Sequence, residues 1–211
     1  MSQNRKVITP VGILSYPHLF TPQDPMEEGG VPKFGAVLIF EEGTDLTELR
    51  RAVAAAAQEK FGEKTKAMLK SGKLRLPFRD DWEEKNYPEN SVFINAKSSN
   101  PPGIVGRYAD PDTGKAQRIE NEDDVYPGMY AKFSVTAFGY DHKGNRGVAF
   151  AINNVQKWAD GERLDGRVKA EDEFEAEAPV TADLDDLTDD APTTNDPAAS
   201  VDEEEDLTDL M

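Results

Sequence analysis

The sequence contains no cysteine and only two histidines, His18 and His142. Without thiols, disulfide frameworks, thiolate metal sites and cysteine nucleophiles are excluded. Two imidazoles leave no histidine-rich metal site and few candidate bases for a catalytic triad. Long apolar runs are missing too, and no stretch approaches the ~20 residues that span a bilayer. Met1 to Lys6 lead into a β-like segment rather than the apolar core of a signal peptide. The expectation is a soluble cytoplasmic protein with no membrane contact. The last scarcity is of bases: none occurs after Lys169.

That scarcity explains the formal charge of −17 in 211 residues. All 24 Lys and Arg lie between Arg5 and Lys169, where Asp and Glu equal them in number. The whole excess belongs to Glu171 through Asp209. From about Pro179 the chain is Asp, Glu, Ala, Thr and Pro with scattered Leu and no aromatic residue. Such a segment buries too little apolar surface to offset the entropy of ordering it. The reading is one body, 1–176, and a disordered acidic tail, 177–211. Within the tail Asp186-Leu187-Thr188-Asp189 recurs as Asp206-Leu207-Thr208-Asp209, and the chain ends Leu210-Met211. It is either a solvating tail or a linear partner-binding motif, with Asp206, Leu207, Asp209, Leu210 and Met211 as the candidate contacts.

The body is mainly β. Val7 to Tyr16, Phe34 to Phe40, Val92 to Lys97, Tyr130 to Tyr140 and Val148 to Val155 are rich in β-branched and aromatic residues and bounded by Gly and Pro. One helix interrupts them. Asp45 and Glu48 have capping-box spacing, and Leu46, Leu49, Val53, Ala57 and Phe61 follow at helical spacing. A small barrel or sandwich with long loops accommodates these elements.

Alternation in Met129 to Tyr140 separates two faces. Met129, Ala131, Phe133, Val135 and Ala137 suit a core, leaving Tyr130, Lys132, Ser134, Thr136, Phe138 and Tyr140 opposite. Three aromatics and a lysine on an outer face suit a stacking platform for nucleobases, unless a second layer covers them. In the same way Val92, Ile94 and Ala96 leave Phe93, Asn95 and Lys97 on the other face. Arg107 and Tyr108 form a further basic–aromatic pair. From Lys60 to Arg79 seven bases (among them Lys73, Arg75 and Arg79) meet one acid, Glu63. This run is either a solvated face or a phosphate track. Trp82, Tyr87 and Trp158 are further aromatic candidates.

Enzyme signatures are weak. Gly62-Glu63-Lys64-Thr65 ends like a phosphate-binding loop, but Ala57 stands where its first glycine belongs. Asp110-Pro111-Asp112-Thr113-Gly114 lacks the rest of a calcium ligand set. Glu120, Glu122, Asp123 and Asp124 would be needed by a Mg²⁺-dependent nuclease. No catalytic residue, metal or cofactor is expected.

Several segments together resemble the tailed-phage single-stranded DNA-binding proteins, once catalogued as a domain of unknown function. They are Phe138-Gly139-Tyr140-Asp141, Gly144-Asn145-Arg146-Gly147-Val148, Asn153-Asn154-Val155-Gln156-Lys157 and Asp160-Gly161. Leu76 to Asp80, Pro101 to Val105, Val125 to Gly128 and Pro32-Lys33-Phe34 match the family's other landmarks. The resemblance implies an OB-type antiparallel β-barrel with one helix between strands and long loops. It also implies sequence-independent binding of single-stranded DNA in phage replication or recombination, and an acidic tail that recruits partner proteins. Such tails commonly finish in phenylalanine, whereas this one ends in methionine. A homodimer is left open. The competing reading is an acidic-tailed interaction protein, a DNA mimic or a chaperone for basic proteins.

Overall fold

The computed structural model describes residues 5–25, 29–142 and 144–166, so the expected tail lies outside the described residues. Nine strands and three α-helices are found among them. In chain order the strands are β1 (Lys6–Ile8), β2 (Gly12–Gln23), β3 (Lys33–Phe40), β4 (Phe78–Arg79), β5 (Val92–Ser98), β6 (Gly103–Ala109), β7 (Ala116–Arg118), β8 (Tyr130–His142) and β9 (Asn145–Ala159). Helices α1 (Thr47–Phe61) and α2 (Lys64–Lys70) fall between β3 and β4, and the one-turn α3 (Trp82–Lys85) lies between β4 and β5. No helix among the described residues is long and apolar enough to cross a membrane.

β8 organises the sheet, because it pairs with β1, β2 and β9. The path β2–β3–β5–β9–β8 returns to β2, so the pairings form a ring. Most are antiparallel as expected, but β9 runs parallel to β5 and to β6. The fold is mainly β, as expected.

The five expected strands are present, with differences that have local causes. Val7 to Tyr16 breaks into β1 and β2 around Pro10, which lacks the amide a ladder needs. Thr9 bridges the break: its N–H donates to Phe133 O at 2.8 Å, and its Oγ1 accepts from Phe133 N at 2.9 Å. β6 is an added strand whose parallel pairing places Ile104 beside Val155 in the core. One helix was expected, but α2 and α3 are found as well. Gly62, at a φ of 56° that favours glycine, ends α1. Thr65 then donates its hydroxyl to the Ala57 carbonyl at 3.1 Å, tying the first turn of α2 to the end of α1. At the α1 start, Asp45 accepts from Thr47 N at 2.9 Å, while Glu48 pairs with Arg51 instead of closing a capping box.

Packing follows the alternation in β8. Met129, Ala131, Phe133, Val135 and Ala137 are all fully buried. They share one core cluster with Leu14, Leu38, Ile94 and Phe150 from the other ring strands, and with Leu49, Val53 and Ala56 from α1. α1 lies close on β8: a Cβ at Gly139 would stand 2.5 Å from Lys60 Cβ. Replacing Phe133 by Ala is expected to cost about 3–5 kcal/mol in urea melts. The same change at Phe138, which is 39% exposed, is expected to cost about 1 kcal/mol or less; comparable losses would mean the faces are reversed.

Candidate nucleic-acid interface

The outer residues of β8 join those of its neighbours in rows. Lys6 on β1 stands beside Thr136, which faces Ala151 on β9, which faces Lys97 on β5. Four residues back along β8, Lys132 faces Gln156, which adjoins Val105 on β6 and then Arg118 on β7. Residues opposite one another in a sheet share a face. Lys97 and Lys132, far apart in sequence, therefore occupy one continuous outward surface.

The densest chemistry on that surface is at Trp158. Lys132 Nζ lies 3.7 Å from its ring centroid and Arg107 Cζ lies 4.1 Å from it. Both distances require a cation over a ring face rather than at its edge. β9 lies between β8 and β6, so Lys132 and Arg107 approach the indole from opposite flanks. Arg107 also stands 5.7 Å from the ring of Tyr108, which is 77% exposed. Among the described residues no carboxylate is within ion-pair distance of Lys132, Arg107 or Lys97. Neighbouring cations are committed elsewhere: Lys157 to Asp160 at 2.8 Å, Arg163 to Asp165 at 2.8 Å and Arg146 to Asp141 at 2.8 Å. Arg107 and Lys132 are thus fixed by an aromatic ring while their charge stays available to an anion.

The remaining expected residues are placed as follows. Tyr130 is half-buried at the start of β8, its ring against Gly161. Phe138 and Tyr140 share its face near the far end of the strand. Six residues separate Phe138 from Lys132, about 20 Å along an extended chain. Both aromatics face small partners on β9, Ala149 and Gly147. Arg75 bridges to that end: its N–H donates to Arg146 O at 3.0 Å and its carbonyl accepts from Val148 N at 2.9 Å. Lys73 is exposed in the turn after α2.

Two expectations are corrected. Phe93 does lie on the outer side of β5, but it is only 4% exposed. The Tyr87 ring packs edge-on against it at 5.2 Å, and the Arg79 guanidinium lies 5.5 Å from its centroid. Phe93 joins Val37 and Ile39 in a small second cluster and has no face for a base. Alternation assigned its side correctly, but it carries no information about the Arg79 and Tyr87 side chains that β4 and the α3 turn bring onto that side. Arg79 is likewise engaged: its Nε donates to Asp81 Oδ1 at 2.9 Å, and the pair holds the Asp81 carboxyl below the usual carboxylate range. It is not a free phosphate ligand. The tail residues Asp206, Leu207, Asp209, Leu210 and Met211 lie outside the described residues. Trp158, only a secondary candidate in sequence, proves to be the centre of the cation cluster. The available signal was its position two residues beyond Gln156, within the most family-like stretch.

Comparison with known proteins accords with this geometry. The sequence profile of the Enterobacter phage Enc34 single-stranded DNA-binding protein family matches residues 5–187. No curated protein matches in sequence. Among solved structures, the single-stranded DNA-binding protein of bacteriophage Enc34 is similar at a TM-score of 0.58 and 18% identity, over 82% of this chain and 92% of that one. Its complex with single-stranded DNA gives 0.57 and 20%, over 77% and 90%. Gp2.5, a single-stranded DNA-binding protein of bacteriophage T7, gives 0.54 and 10%, over 80% and 99%. A profile match over most of the chain, on a mainly β fold with an exposed basic–aromatic face, places the protein: the chain belongs to the Enterobacter phage Enc34 single-stranded DNA-binding protein family.

Proposed function

We propose that the chain binds single-stranded DNA without reading its sequence, across the outer surface of β6, β9, β8 and β5, and that it performs no catalysis. The ring β2–β3–β5–β9–β8 is read as the closed barrel of an OB fold. The observation that carries the proposal is the placement of Arg107 and Lys132 on either flank of Trp158 with no carboxylate partner. Such an arrangement holds two cations at a set spacing for a phosphate backbone, and phosphate contacts supply most sequence-independent affinity. Tyr108, Phe138 and Tyr140 offer ring faces for bases, each stacked base contributing about 1–3 kcal/mol whatever its identity. Lys97 extends the positive surface across β5. The acidic segment 177–211 competes with DNA for these cations, and when displaced it recruits replication or recombination proteins of the host cytoplasm through Asp206, Leu207, Asp209, Leu210 and Met211.

The mechanism assigns separable signatures to separate residues. Replacing Lys132 or Arg107 by Ala is expected to flatten the dependence of log affinity on log salt by about 0.7 for each phosphate no longer neutralised; an unaltered slope would remove the residue from the phosphate path. Saturating quenching of tryptophan fluorescence is expected with oligo-dT and much less with a matched duplex. Trp158 is its source, so the response should persist in a Trp82→Phe protein; its loss there would move the interface to Trp82. Truncation after Ala178 is expected to tighten binding and steepen its loss with salt, since the body no longer carries its own competing anion. Identical titrations for both forms would eliminate the competition.

A further inference from the structure

A second aromatic cleft is formed where β2 bulges. The pairing of β2 with β3 shifts register between Ser15 and His18, and such a bulge re-aims side chains. Tyr16, inside the bulge, has a φ of 46°, a strained conformation for a residue with a bulky side chain. Its ring is nevertheless 62% exposed, so burial does not offset the strain, and strain of this kind concentrates at ligand sites. Tyr16 and His18 from β2, Lys85 and Tyr87 around the α3 turn, Pro127 and Leu164 enclose an open cleft of about 380 Å³, within the range of small-ligand sites.

One wall of this cleft is anchored, and its lining combines two tyrosines with a lysine. Tyr87 is anchored by its edge-on contact with Phe93 and by a 3.1 Å hydrogen bond between its hydroxyl and Ser15 Oγ. Burial raises the Tyr87 phenol further, so it remains a neutral hydroxyl. Asp165, the carboxylate at the rim, is held by Arg163 at 2.8 Å, which offsets its repulsion of a phosphate. Lys85 has no carboxylate within ion-pair distance among the described residues. The cleft is also continuous with the surface already described. His18 and Tyr16 line an adjoining recess with Lys33 and Lys97, and Lys97 connects through Ala151 to Thr136 on β8.

We infer that this cleft is a second subsite for the same strand, taking one nucleotide with its base on the Tyr16 ring and its phosphate at Lys85. The inference rests on the binding reading above, and extends it to the β2 side of the ring. It also makes the footprint longer than the Trp158 cluster alone requires, so its effect must depend on oligonucleotide length. The test uses the full chain with Tyr16→Gly and Lys85→Ala, measured by anisotropy of labelled oligo-dT of about 4 to about 16 nucleotides, the span of OB-fold site sizes. Glycine accepts the left-handed backbone, so Tyr16→Gly is expected to melt no lower than the parent protein. It is expected to bind the shortest oligomers normally and the longest roughly 5- to 100-fold more weakly. Lys85→Ala is expected to flatten the salt slope by about 0.7 with long oligomers only. Parent-like affinity and slope in both variants at every length would overturn the second subsite while leaving the Trp158 surface intact. Failure of the parent protein to bind any oligomer would instead remove the binding reading on which it rests.

Discussion

The alternation of side chains along β8 governs both the interior and the surface of this protein. Every second residue from Met129 to Ala137 is fully buried, and these residues are the common floor on which four other strands and α1 pack. Burying one parity forces the other outward. Lys132, Phe138 and Tyr140 are therefore displayed by the same constraint that secures the core, since a one-residue slip would exchange the two sets. Disrupting the ladder and dismantling the basic–aromatic face are one event, not two.

On that surface, charge is organised by what each cation lacks. Several arginines near the ring are neutralised by a carboxylate close in sequence: Arg79 by Asp81, Arg146 by Asp141, Arg163 by Asp165. Arg107 and Lys132 are held instead by an indole, which orients a cation without cancelling its charge. A body with equal numbers of acids and bases can therefore still present a positive face. Net charge describes solubility and partners in bulk, whereas a strand of phosphates senses where unpaired charges are displayed.

Much of this was legible in the chain. The period-2 pattern of Met129 to Tyr140 identified a strand and its faces, and the helical spacing from Leu46 to Phe61 identified α1. The family-like segments pointed to the right class of fold. What escaped were features that depend on a neighbour distant in sequence. β6 was not among the expected strands and forms against β9 in a parallel ladder. α2 was not expected either, and Thr65 ties it to the Ala57 carbonyl of α1. The Tyr16 cleft needs β2, the α3 turn and the Pro127 segment to converge.

The contrast between Phe93 and Trp158 marks the boundary most clearly. Local sequence determined on its own which side of a strand each residue occupies, because the pleat alternates whatever surrounds it. It determined equally that the acidic excess is confined to one end and that no thiol chemistry and no histidine-rich metal site is available. Whether an outward aromatic is open to a ligand depends on what else packs over it, and that was decided only by tertiary structure. Phe93 was covered by Tyr87 and Arg79 and became core. Trp158 gathered Arg107 from β6 and Lys132 from β8 and became the centre of a cation cluster, because strand order rather than sequence separation sets which side chains meet.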